Sequence, residues 1–158
     1  MSDLYINIIT SIIATGCSIL VALIVMSKSN NYNRKLQLRD EKINICNDIE
    51  VLVAELSPLL HNLFLKSKYF RREGIALNLI TMEQTGISDC KDKIDIIIYK
   101  IQMKTKSIRE FDWLTNRMID LKESACSGVD DSENDYTKKT KQLREKLSSQ
   151  INEYIETL

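Results

Sequence analysis

Proline and glycine are scarce in this chain, with one proline and four glycines in 158 residues. That supply cannot punctuate the many turns of a β-sandwich or barrel, and with a 44% hydrophobic content it also excludes a disordered chain. Histidine occurs once, at His61, flanked by Leu59, Leu60, Leu63 and Phe64, a setting that suits a bundle residue better than a catalytic base. The four cysteines at 17, 46, 90 and 126 form no CxxC pair and have no partner histidine, so the chain offers no metal site and is consistent with reduced thiols. It also lacks a glycine-rich phosphate loop, a nucleophile elbow and an H-E-x-x-H motif, and we expect no enzyme and no cofactor.

Charge is missing from one end. The totals balance at 22 basic and 22 acidic residues, yet Asp3 is the only charged side chain before Lys28. Leu4 to Ser27 gives 24 consecutive uncharged residues. As a helix at about 1.5 Å per residue they span ~36 Å, enough for ~30 Å of hydrocarbon with some tilt. Met1-Ser2-Asp3 supplies no basic n-region for a cleaved signal peptide. Residues 1–27 therefore read as a transmembrane helix and 28–158 as a second domain. Lys28, Arg34, Lys35, Arg39 and Lys42 all follow the span, which predicts an outside N-terminus, a cytoplasmic remainder and an inner-membrane location. Of these, Lys28, Arg34, Lys35 and Arg39 are placed to meet lipid headgroups.

At 100° per residue, Asn7, Ser11, Ala14, Ser18 and Ala22 share one face of the span, with Thr10 and Thr15 on its flanks. Ile9, Ile12, Ile13, Leu20 and Leu23 lie opposite. Ala14-xxx-Ser18-xxx-Ala22 is a small-xxx-small ladder that lets helices approach closely, and it predicts self-association. Four or more copies around an axis would turn the same stripe into the wall of a narrow pore.

Beyond the polar joint Ser27–Asn31, apolar residues return at helical spacing. Ile45, Ile49, Leu52, Leu56, Leu59 and Leu63 form a heptad-like seam, predicting a helix over about Asn33 to Arg72, kinked at Ser57-Pro58 and stopped by Gly74. Ile75 to Gly86 reads as a connection holding at most one short helix. Ser88 would cap a second helix to about Ser124, with Ile94, Ile97, Ile101, Ile108, Phe111, Met118 and Leu121 inward. The acidic loop 128–135 interrupts it. It lacks the glycine and terminal glutamate of a calcium loop and reads as a solvated helix start. Ser132 and Asp135 resemble a capping box for a last helix, about Glu133 to Glu156, burying Tyr136, Leu143, Leu147, Ile151, Tyr154 and Ile155. The fold class is all-α: one N-terminal transmembrane helix, then a cytoplasmic antiparallel bundle of about three helices.

Three basic clusters are candidates for an anionic ligand: Lys66, Lys68, Arg71 and Arg72; Lys100, Lys104, Lys106 and Arg109; and Lys138, Lys139, Lys141, Arg144 and Lys146. In an antiparallel bundle the second would lie mid-helix and face another across a groove, with Tyr69, Phe70 and Tyr99 as stacking faces for a base.

A membrane helix before a small helical cytoplasmic domain resembles the small membrane effectors of bacterial anti-phage defence, including the Hailong-type channel effector. That resemblance is one of architecture and carries over no residue. It implies a homo-oligomer, a tetramer or larger, forming a membrane channel under the control of a nucleotide or oligonucleotide bound to the cytoplasmic domain. The chain also resembles the phage inner-membrane spanin, whose long domain is periplasmic, against the cation placement here. A membrane-tethered coiled-coil scaffold is the third reading.

Overall fold

The computed structural model describes the chain apart from residues 1, 75–81, 84 and 128–131, and near the N-terminus it omits the side chains of 2–4, 7–10 and 12. The described residues are helical and contain no strand. In order they form α1 (Ser2–Arg72), α2 (Ile87–Thr105), a 3-10 turn (Arg109–Phe111), α3 (Asp112–Ser127) and α4 (Glu133–Thr157). Packing divides the chain into two units, Met1–Lys42 and Ile43–Leu158. The change in hydropathy after Ser27 therefore precedes the change in packing.

The polar joint does not interrupt the helix, since Ser27 to Asn31 are helical like their neighbours. Serine and asparagine lower helix propensity by only tenths of a kcal/mol each, and no glycine or proline stands there to stop propagation. Helix α1 also runs through Pro58. Proline removes the N–H that would reach the Ala54 carbonyl, but Ala54 and Pro58 are both exposed, leaving that carbonyl on the water side. The Ser57 hydroxyl donates to the Val53 carbonyl at 2.9 Å, one turn back. Gly74 ends the helix as expected, at φ 67°, with its N–H on the Arg71 carbonyl at 3.0 Å.

Ile43–Leu158 is an up-down-up-down bundle, and its side-chain contacts fix the neighbours. Cys90 lies against the Leu59 carbonyl and Lys104 against Asp48, so α2 runs antiparallel to α1. Asp95 pairs with Lys122 and sets α3 against α2. The Tyr136 hydroxyl donates to the Leu121 carbonyl at 3.0 Å, and Lys146 lies 4.1 Å from the Trp113 ring centre, setting α4 against α3. Phe64 stacks on Tyr136 at 4.5 Å while Ser148 bonds Glu50, which closes α4 onto α1.

The single helix expected from Ser88 to Ser124 is two, and the bundle has four helices where the seams suggest three. Helix α2 stops at Thr105 because Thr105 and Ser107 turn their hydroxyls onto the Gln102 and Lys104 carbonyls, which competes with helix continuation. Ile108 then adopts an extended conformation, φ −136° and ψ 94°, and the 3-10 turn carries Phe111 back inward. Both side chains are buried by this reversal. Nor does Ser88 cap α2. Gly86, left-handed at φ 65°, holds that position without a side-chain bond, and the helix begins at Ile87. Helix α3 reaches Ser127, three residues past the expected end. In the connection expected between Ile75 and Gly86, Met82 and Glu83 are helical, while 75–81 and 84, like the loop at 128–131, lie outside the described residues.

Every inward residue read from the α2 and α3 sequences is buried, as are Tyr136, Leu143, Leu147 and Ile151. On α1 the deepest line is Cys46, Ile49, Val53, Leu56, Leu60 and Leu63, while Ile45, Leu52 and Leu59 pack against it half-buried. Ser132 caps α4 by accepting the Asp135 N–H at 3.2 Å. Its own hydroxyl donates to the Asp135 carboxylate at 2.7 Å, so the pair closes through side chains rather than through the serine backbone.

Candidate membrane anchor and basic surfaces

Among the described residues one helix is long and apolar enough to cross a membrane. Its qualifying 18-residue stretch, in the N-terminal part of α1, has mean hydropathy 1.5 with none of it buried. Tyr5, Ile6, Ile13 and every residue from Ile19 to Met26 are exposed. A soluble monomer rarely leaves a contiguous apolar surface of this size in water.

Ser11, Ala14, Ser18 and Ala22 are exposed along one side of that helix, whereas the side chain of Asn7 lies outside the described residues. A shallow groove runs over the same side, past Ser18, Ala22, Val25 and Ser29, where short side chains leave the surface recessed. Thr15 donates its hydroxyl to the Ser11 carbonyl at 2.8 Å and Ser18 to the Ala14 carbonyl at 2.9 Å. These donors are satisfied within the helix, so the face can enter lipid or a helix contact without stranding them. Lys28, Arg34, Lys35 and Arg39 follow, all exposed on the next turns of α1.

The bundle does not bring the basic clusters into one site. The first cluster occupies the C-terminal end of α1 and the second the C-terminal end of α2. These helices are antiparallel, so the two clusters sit toward opposite ends of the bundle. The break at Thr105 moves the second cluster out of mid-helix, which removes the groove-facing arrangement expected for it. The stacking faces separate likewise. Tyr69 meets Phe70 edge-on at 5.4 Å near the end of α1, while Tyr99 stands on α2.

Several of these cations already have protein partners. Lys66 is half-buried and donates to the Thr85 carbonyl at 2.9 Å, bracing α1 against the approach to α2. Lys68 lies 5.5 Å from the Phe64 ring centre, and Lys106 reaches the Met103 sulfur at 3.7 Å. Lys104 pairs with Asp48 at 2.6 Å and Lys141 with Glu145 at 3.6 Å. Arg71, Arg72, Lys100 and Arg109 are exposed, and the two α1 arginines lie where the helix dipole favours cations.

Two pairs of the sequence candidates do meet, Lys141 and Arg144 beside Glu50 and Glu145 in one cavity, and Lys100 and Lys104 in another. Lys100 and Lys104 line a cavity of about 590 Å³ between α1 and α2, with Tyr99, Val51, Leu52 and Met103 supplying an apolar surface and Asp48 facing Lys104. Asp48, Val51 and Met103 are not apparent from local sequence. The one available signal is the Ile94–Met103 stretch, in which apolar residues fall on more than one face of the helix.

Burial raises the pKa of all three bundle thiols. For Cys90 the nearby Lys66 and Lys93 partly oppose that effect, and for Cys126 Lys91 and Lys122 do so. Protonated and largely enclosed, they are poor nucleophiles at neutral pH. No group of His, Cys, Asp or Glu able to hold a metal ion occurs among the described residues. The chain matches no family model, and no curated protein or solved structure matches it.

Proposed function

We propose that this is a single-pass membrane protein that self-associates through its N-terminal helix and acts on the bilayer as a channel-forming effector. Its bundle is held in the cytoplasm. The observation that carries the reading is the unburied apolar stretch of α1, with its one-sided row of Ser11, Ala14, Ser18 and Ala22. Small residues permit close helix packing in lipid, and Asn7, Ser11 and Ser18 around an axis would wet a path for ions. Lys28, Arg34, Lys35 and Arg39, close behind the span, argue for the cytoplasmic side. An anionic regulator, a nucleotide or oligonucleotide, would find its least engaged cations at Arg71, Arg72, Lys100 and Arg109.

A specific observation favours a second reading, a membrane-tethered scaffold. Thr15 and Ser18 spend their donors on their own helix, and Lys66, Lys104 and Lys141 spend theirs on the protein. Both the pore and the ligand site lose polar capacity in this way.

A voltage-sensitive dye in cells producing matched amounts of protein separates the two. The full chain is expected to depolarise the cells, and Asn7→Leu with Ser11→Leu to abolish the effect while the protein stays in the membrane. An unchanged potential with the full chain, with and without phage infection, overturns the channel and leaves the scaffold.

A further inference from the structure

Helix α2 is apolar on two sides, and the bundle covers only one. Ile94, Ile98 and Ile101 face the core, at 0%, 7% and 0% exposure, whereas Ile96, Tyr99 and Met103 stand outside at 55%, 61% and 48%. The outer three recur at steps of three and four, so they form a stripe of their own. Across the cavity beside them α1 presents Val51, exposed to 57%. A helix with apolar residues on opposite sides is a buried helix, and this one is half covered.

The charges along the cavity specify what covers it. Its α1 wall carries one acid, Asp48. Its α2 wall is basic, with Lys100 and Lys104. Asp48 and Lys104 stand level, since they pair at 2.6 Å within one chain. Lys100, one turn from Lys104, is exposed and enters no ion pair among the described residues. A two-fold axis running along the cavity lays the α1 wall of one copy on the α2 wall of the other. The Asp48 of each copy then meets the partner's Lys104, with Lys100 one turn away, and Val51 meets Tyr99 and Met103, where sulfur, ring and branched aliphatic pack well. A surface that carries both signs in mirrored order is complementary to itself.

We propose that the face formed by α1 and α2, centred on Val51, Tyr99 and Met103, is the contact through which the bundles of two copies dimerise. The proposal deepens the self-associating membrane reading and rests on it in one respect: anchors confined to a bilayer raise the effective concentration of bundles, so a patch of this modest area suffices.

The test uses the full chain in a Cys17→Ser, Cys126→Ser background, which leaves only the buried Cys46 and Cys90 thiols. One tagged copy carries Val51→Cys and a differently tagged copy carries Met103→Cys. The two are produced together and treated in membranes with a short bis-maleimide. The expected result is a crosslinked species bearing both tags, reduced several-fold when Lys100→Glu and Tyr99→Glu are added to the Met103→Cys copy. Absence of the mixed species overturns the proposal. So does protection of the Val51→Cys thiol from mono-maleimide without a mixed crosslink, which assigns the face to another protein. Alkaline carbonate extraction of the same membranes reads the anchor separately. A chain that extracts as soluble fails the membrane reading, whereas a retained chain with no mixed crosslink fails this interface alone.

Discussion

At the scale of single residues, the bundle's chemistry is that of enclosure rather than reactivity. Cys46 is fully buried, Cys90 nearly so, and burial pushes both thiols above their ordinary value of 9.0. A thiol whose folded pKa exceeds its unfolded value binds its proton more tightly when folded. Its contribution to stability is therefore complete below the unfolded pKa and is lost as pH rises through the folded one. The melting temperature of the detergent-solubilised protein is expected to be level near neutrality and to fall above about pH 9. Cys46→Ala with Cys90→Ala is expected to flatten part of that decline, at the cost of some stability throughout. Melts that fall equally steeply in the parent and the double variant assign the loss to lysine and tyrosine titration instead. Residue-scale contacts are also where local reading of the sequence fails most plainly. Lys104 is visible as a cation from its neighbours, but the Asp48 that neutralises it is 56 positions away and only the antiparallel return of α2 brings the two together.

At the scale of elements, what the sequence discloses depends on whether the cause is local. The seams of α1, α2, α3 and α4 are legible because burial on one helix face leaves a 3.6-residue period, and the residues so identified are buried or packed on the core. Gly74 is legible as a stop because a left-handed terminus favours glycine. The break between α2 and α3 is not, for Thr105-Lys106-Ser107 contains neither glycine nor proline. It arises because two hydroxyls cap the last carbonyls and because Ile108 and Phe111 gain burial by reversing the chain. The start of α4 is the opposite case. Ser132 accepts the Asp135 N–H as its sequence position implies. Ser132→Ala is expected to cost about 1 kcal/mol, and Ser132→Gly only a few tenths, measured by chemical denaturation of the solubilised chain. No loss from either substitution would show that the side-chain bond to the Asp135 N–H contributes nothing.

At the scale of the whole molecule, two kinds of hydrophobic surface have been kept apart. The apolar side chains of the first 27 residues that are described are exposed, and every buried one lies between Cys46 and Ile151. The first set has nothing to bury against within its own unit, while the second is consumed in a core. Removing residues 1–27 therefore takes away exposed apolar surface and none of the residues buried in the second unit. Sites of that size rarely stay in solution unaided, and the bundle's outer surface is otherwise rich in Lys, Arg, Asp and Glu. A chain of residues 28–158 is expected to be recovered from the soluble fraction, strongly helical by circular dichroism and melting in one cooperative transition. The full chain is expected to resist carbonate extraction. A fragment that is soluble but melts without cooperativity would mean that the bundle needs its anchor to fold. A fragment that stays with the membrane would mean that the bundle itself binds lipid, and the division of labour between a lipid-seeking helix and a self-contained core would then be wrong.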